Sequence, residues 1–169
     1  MKHSPSPPTT RLRIGNGYDV HKLAPGLPLF LGGIQIPHTK GVIAHSDGDV
    51  LIHALCDSLL GAAALGDIGQ HFPDRDPAYK GIDSKILLSR TLALINAAGY
   101  QPVNIDATLC LQTPTIAPFI PQMRATLSQL LALPQTAISI KATTTESLGF
   151  IGREEGVAVY VVCLVEGIY

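Results

Sequence analysis

Ala44-His-Ser-Asp-Gly-Asp-Val-Leu-Ile-His-Ala-Leu-Cys-Asp-Ser-Leu-Leu-Gly-Ala-Ala-Ala-Leu-Gly-Asp-Ile-Gly69 is the stretch from which the fold is read. Ser46 followed three residues later by Asp49 has the spacing of a helix start, and Gly66 after the last apolar residue has the character of a stop. Between them Val50, Leu51, Ile52, Ala54, Leu55, Cys56, Leu59 and Leu60 point in most directions, which predicts a buried helix. One polar stripe interrupts it. At about 100° per residue, Ser46, Asp49, His53 and Asp57 fall within roughly 80° of arc. Charged groups on a buried helix need partners or a metal. Taken alone, His53 is a core histidine bonded to Asp49 or Asp57 one turn away; the rest of the chain favours the alternative, a ligand.

Upstream, Arg11 to His21 reads as a strand, in which Gly15 and Gly17 leave room for a close neighbour or ligand. Strand residues two apart share a side, so Asp19 and His21 stand together, either as a polar strand edge or as half of a site. Leu29 to Pro37 reads as a hairpin turning at Gly32-Gly33. His45 and Ser46 fall at the expected helix N-terminus, where backbone N–H groups hold phosphate; the alternative is a capped helix with a solvated histidine.

Downstream, Gly66 to Gly81 is turn-rich and without periodicity, and a loop of that length is functional or disordered. Its Asp67, Asp74 and Asp76 bind hydroxyls or form turns, with the turn role the default for Asp74 and Asp76. Asp83 caps a helix expected over Ser84 to Ala98 and stopped by Gly99, and a further helix is expected from about Pro121 to Leu131. Strands are expected over Val103 to Gln112 and Ile138 to Ala142. Thr143 and Glu146 have capping-box spacing, yet the hydroxyls and carboxylate of Thr143-Thr-Thr-Glu146 also suit phosphate and a hard cation. Val157 to Val165 is continuously apolar and reads as a strand buried on both faces. Three helices cover one face of such a sheet, so the other needs neighbouring subunits in a closed oligomer.

The chain has 169 residues, 46% hydrophobic and only 15% charged, with 16 glycines and 13 prolines, as expected of one domain with some surface covered by other subunits. The expected organisation is a disordered tail over residues 1–10, neither signal nor transit peptide, and a single catalytic domain over residues 11–169. The net charge of -1 and the lack of a basic run argue against nucleic acid, and no apolar run is long enough for a membrane. Cys56, Cys110 and Cys163 lie in apolar segments without metal-type spacing and read as reduced thiols of a cytoplasmic protein.

Asp19, His21 and His53 are one carboxylate and two imidazoles from separate elements, the donor set of a zinc site with its fourth position open. Asp57, one turn beyond His53, is placed to orient that imidazole. No protein-nucleophile, Walker or dinucleotide signature is present, so the residues alone point to a metal-assisted reaction on a phosphorylated small molecule.

Four segments carry a resemblance. Arg13-Ile-Gly-Asn-Gly-Tyr-Asp-Val-His21, Ala44-His-Ser-Asp-Gly-Asp49 with His53, Gly66-Asp-Ile-Gly69 with Phe72-Pro-Asp74, and Lys141-Ala-Thr-Thr-Thr-Glu146 with Gly149-Phe150 resemble the 2-C-methyl-D-erythritol 2,4-cyclodiphosphate synthases. The match covers nearly the whole chain after residue 10. It implies a single-domain α/β (α+β) subunit, a mixed sheet with helices on one face, assembled as a homotrimer with active sites between neighbours. It implies conversion of 4-diphosphocytidyl-2-C-methyl-D-erythritol 2-phosphate to the cyclic diphosphate plus CMP, in the non-mevalonate isoprenoid route.

By position, the resemblance makes Asp19, His21 and His53 zinc ligands and has Glu146 help hold magnesium or manganese on the diphosphate. It gives His45 and Thr144 a role in stabilising the transition state. Asp67, Ile68 and Gly69 fall where the erythritol part is held, with Ser46, Phe72, Pro73, Asp74, Arg75 and Asp76 also on the substrate side. Leu111, Gln112, Thr113, Pro114, Thr115, Ile116 and Ala117, with Thr143, Thr144 and Thr145, fall in the cytidine pocket. Phe150 and Arg153 match substrate-site or trimer-axis positions. Two residues depart from the family: Asn16 stands where histidine is frequent and reads as a variation around the metal site, and Thr115 replaces a common lysine, removing a charge near the nucleotide. The rival readings are a zinc phosphohydrolase using water and a trimeric small-molecule-binding protein without turnover.

Overall fold

A computed structural model describes residues 11–73 and 75–168. The tail expected over residues 1–10 and the turn residue Asp74 lie outside the described residues. Five strands form one sheet. The first, β1 (Leu12–Pro25), is antiparallel both to β4 (Lys40–Val42) and to β7 (Gly156–Gly167). Beyond β7 lie β5 (Tyr100–Cys110), antiparallel to it, and β6 (Ile138–Thr143), parallel to β5, giving the order β4-β1-β7-β5-β6. A separate hairpin pairs β2 (Leu29–Leu31) with β3 (Ile34–Ile36). Its turn, Gly32-Gly33, has φ of 60° and 80°, the left-handed pair that a tight hairpin demands and glycine supplies without steric cost.

The helix read from the opening stretch is α1 (Val50–Ala62), with all its large apolar side chains buried. It starts later than expected. Its N-cap is Asp49, not Ser46, because the Asp49 carboxylate accepts Ile52 N–H at 3.0 Å and also Gly32 and Gly33 N–H at 2.9 and 2.6 Å. That buried carboxylate ties the hairpin turn to the helix entrance, and burial pushes its pKa up against the pull of three N–H donors. The helix ends at Ala62 rather than running on to Gly66, since Ala64 already has a left-handed φ of 58°.

Over β1, α1 approaches the sheet closely. A Cβ at Gly15 would lie 1.8 Å from Ser58 O, and one at Gly17 would lie 1.8 Å from Ala54 O, so the neighbour these glycines make room for is α1. Beside it pack α3 (Ser84–Ala97), capped by Asp83 as expected, and α4 (Ile120–Leu131). Leu87, Leu88, Ile95, Met123 and Leu127 close over Ile105, Leu109, Val157, Val159 and Val161. Each such burial is worth about 1.5–3 kcal/mol.

Helices therefore cover one face. Along β7 burial alternates instead of being complete on both sides: Val157, Val159 and Val161 are buried, whereas Tyr160 and Val162 are 51% and 48% exposed. Ile14 and Tyr18 of β1 extend the same uncovered apolar face. Asn16 is exposed on this outer side, opposite Gly15 and Gly17, so it is not a variation around the metal site. Among the described residues no helix is long and apolar enough to cross a membrane.

Candidate functional site

Strand alternation brings Asp19 and His21 to the helix-covered side of β1, and the first full turn of α1 carries His53 to meet them. His21 Nε2 lies 2.9 Å from Asp19 Oδ2 and 3.1 Å from His53 Nδ1, and His53 Nδ1 lies 3.3 Å from Asp19 Oδ2. These edges are close to the separation of about 3.3–3.5 Å between donors that share a tetrahedral zinc at about 2.0–2.2 Å. Asp19 Oδ2 is buried and accepts no well-aligned hydrogen bond, whereas Asp19 Oδ1 takes Val20 N–H at 2.8 Å. An orphaned carboxylate oxygen facing two imidazole nitrogens fits a divalent cation. Burial alone would raise the Asp19 carboxyl, but His21 and His53 hold it well below its ordinary value. Burial lowers His53 and the Asp19 charge more than offsets it, leaving that imidazole raised.

The Asp19–His21–His53 triangle opens into a cleft of about 290 Å³, also lined by His45, Ser46, Ile68, Gly69, Phe72 and Tyr79. Two crossing hydrogen bonds shape its wall. Gly81 N–H donates to His45 O at 2.7 Å and Asp47 N–H to Ile82 O at 3.0 Å, zipping the segment before α1 to the segment before α3. Within the stretch expected as a loop from Gly66 to Gly81, the described residues form a short helix, α2 (Ile68–His71), and one turn over Pro77–Tyr79, capped by Asp67 and Asp76 respectively. His45 Nε2 is 3.4 Å from Asp76 O at the cleft mouth. Because α1 begins only at Val50, no helix terminus presents its N–H groups at His45 and Ser46.

Asp57 does not orient His53. Its Oδ1 accepts Ile68 N–H at 2.7 Å, anchoring α2 on α1, and burial pushes its carboxyl up. The far nitrogen of His53 instead meets hydroxyls: Nε2 is 2.9 Å from Ser84 Oγ and 3.2 Å from Ser46 Oγ. Ser84 and its partner Asp47 were not singled out by sequence, since Ser84 lies 31 residues from His53 and resembles an ordinary first helical residue.

Leu111 to Ala117, Thr143 to Glu146, Phe150 and Arg153 lie at or beyond the ends of β5 and β6 and outside this cleft, and Asp67, Pro73, Arg75 and Asp76 do not line it either. Leu111 N–H donates to Thr143 O at 3.0 Å and Ser147 N–H to Gln112 Oε1 at 3.3 Å. Thr115, Ala117, Thr143, Thr144, Glu146, Phe150 and Arg153 are exposed, and Thr145 and Gln112 partly so. No helix starts at Thr143, because Glu146 and Ser147 adopt φ of 53° and 63°; Thr144 Oγ1 instead donates to Glu146 Oε1 at 3.2 Å. The short helix α5 (Gly149–Gly152) follows, with Leu148 before it making no side-chain cap.

The YgbB family pattern matches residues 12–166. The 2-C-methyl-D-erythritol 2,4-cyclodiphosphate synthase of Thioalkalivibrio sulfidiphilus is 59% identical over 155 residues, covering 92% of this chain and 97% of that one. A structure of a 2C-methyl-D-erythritol-2,4-cyclodiphosphate synthase in a CDP-bound form superposes with a TM-score of 0.85 at 40% identity, over 91% of this chain and 100% of that one. The bifunctional IspDF of Campylobacter jejuni superposes with a TM-score of 0.90 at 43% identity, 95% of this chain matching 43% of that longer protein. The donor triangle and the matched length lead to one assignment: this chain belongs to the YgbB family.

Proposed function

We propose that this chain converts 4-diphosphocytidyl-2-C-methyl-D-erythritol 2-phosphate to 2-C-methyl-D-erythritol 2,4-cyclodiphosphate and CMP, as a phosphorus–oxygen lyase of isoprenoid biosynthesis. The observation that carries the proposal is the Asp19–His21–His53 triangle opening on a cleft, in a chain 59% identical to a synthase of that name. An oxygen of the substrate's 2-phosphate attacks the β-phosphorus, the bond from that phosphorus to the bridging oxygen breaks, and CMP leaves with it. No protein nucleophile is required. The barrier falls through holding the two ends together and offsetting charge on the transferring group.

Asp19, His21 and His53 would hold the first ion, for which one carboxylate and two imidazoles favour zinc. Bound there, it supplies Lewis-acid polarisation of a phosphoryl oxygen. His45 at the cleft mouth and Thr144 stabilise charge on the transferring group. Asp67, Ile68 and Gly69 hold the erythritol hydroxyls. Glu146 offers one exposed carboxylate, which suits magnesium or manganese bound chiefly by the substrate's own oxygens.

The nucleotide segment Leu111 to Ala117 with Thr143 to Thr145 does not line the triangle's cleft, which supports a site completed by a neighbouring copy. The uncovered apolar sheet face supports the same assembly, a homotrimer closed through β1 and β7, with Phe150 and Arg153 toward its axis. The three free, buried thiols suit the cytoplasm. Phosphorus NMR of the protein with substrate, zinc and magnesium tests the reaction. Cyclic diphosphate and CMP rising together are expected; inorganic phosphate alone would establish a hydrolase instead.

A further inference from the structure

His53 has two ring nitrogens, and a cation among Asp19, His21 and His53 needs Nδ1 bare. What holds the ring in that state is decided on its other side. Ser84 Oγ, fully buried, stands 2.9 Å from Nε2 and also donates to Asp47 Oδ1. A carboxylate only accepts, and a serine hydroxyl has a single proton, so the Ser84 proton is committed to Asp47. Toward His53, Ser84 Oγ can then only accept, which places the proton on Nε2 and leaves the Nδ1 lone pair facing Asp19 and His21. Asp47 is itself fixed: Oδ2 accepts Ser84 N–H at 3.0 Å and Oδ1 accepts Asp49 N–H at 3.2 Å. Ser46 Oγ, 3.2 Å from Nε2, is the weaker neighbour and already takes Gly48 N–H at 3.1 Å.

We propose that Asp47 and Ser84 are a positioning pair that fixes the tautomer and ring plane of His53 and so sets the affinity of the metal site. The proposal rests on reading Asp19, His21 and His53 as metal ligands. Neither residue lines the cleft. Their effect passes through His53, in the way that an outer carboxylate orients a ligating imidazole, here with a hydroxyl interposed.

Zinc and cobalt affinities are measured by chelator competition on the full chain, with the visible spectrum of bound cobalt as a reporter of coordination geometry. One ion bound by the native protein and lost in His53→Ala establishes the ligand reading; no ion bound by the native protein overturns that reading and the pair with it. Within a site that binds, Ser84→Ala and Asp47→Asn are each expected to weaken affinity about 10–100-fold and to alter the cobalt spectrum, while Ser84→Thr, which keeps the hydroxyl, retains native behaviour. The double variant is expected to lose no more than the worse single one. Native affinity and spectrum in a folded Ser84→Ala protein overturn the pair. Should that variant not fold, the same result in Asp47→Asn does so.

Discussion

Replacing Gly17 by alanine tests how strictly strand and helix must touch for Asp19, His21 and His53 to meet. The added methyl would lie 1.8 Å from Ala54 O and 2.9 Å from Ser58 N, both backbone atoms of α1 that cannot rotate aside. A carbon–oxygen contact needs about 3.3 Å, so β1 and α1 must separate by roughly 1.5 Å. His53 precedes Ala54 on that helix, and Asp19 lies two residues beyond Gly17 on that strand. The same displacement stretches the donor separations of 3.1 and 3.3 Å to beyond about 4 Å, longer than a tetrahedral zinc edge. Overpacking against backbone is expected to cost about 3 kcal/mol or more of unfolding free energy. Zinc affinity is expected to fall more than about tenfold. Urea unfolding of the metal-free protein reads the first effect and chelator competition the second. Gly61→Ala, on the same helix with its nearest contact 3.9 Å away, is the control and is expected to gain about 0.5–1 kcal/mol. Native stability and zinc affinity in Gly17→Ala would refute the close-approach argument.

Asp49→Ala strands three N–H donors at once, two of them buried, and is expected to lose about 3 kcal/mol or more in urea unfolding; a loss under about 1 kcal/mol would show that the hairpin tie is dispensable. Burial pushes the Cys56 thiol up to about 12 from 9.0, so above about pH 9 the unfolded chain gives up a proton that the folded chain keeps. This stabilisation is complete below the unfolded value and is lost as pH rises toward the folded one, at roughly 1.4 kcal/mol per pH unit. The alkaline slope of unfolding free energy is expected to be shallower by that amount in Cys56→Ala, and equal slopes would contradict it. Val162→Asp charges the uncovered face of β7 and is expected to reduce the sedimentation mass from three chains to one; a native protein sedimenting as one chain would remove the shared-site proposal.

Where local geometry decides, the sequence was legible. Strand alternation put Asp19 beside His21, Gly32-Gly33 marked the hairpin, and Asp83 capped α3. What escaped depended on contacts distant in sequence. Capping-box spacing favoured Ser46 because nothing local shows that the Gly32 and Gly33 N–H groups claim Asp49. Helical spacing paired Asp57 with His53, whereas the backbone of Ile68 takes that carboxylate. Ser84 reaches His53 only after two loops zip together, and no periodicity records that. The continuous apolar run of β7 described both of its faces but not which one this chain leaves open.

The most direct test of the reaction is to run it in water enriched in oxygen-18 and weigh the products by mass spectrometry. Attack by the substrate's own phosphate predicts CMP and cyclic diphosphate both free of label. Label entering a phosphorus-containing product would mean that water is the nucleophile, and would contradict the cyclisation.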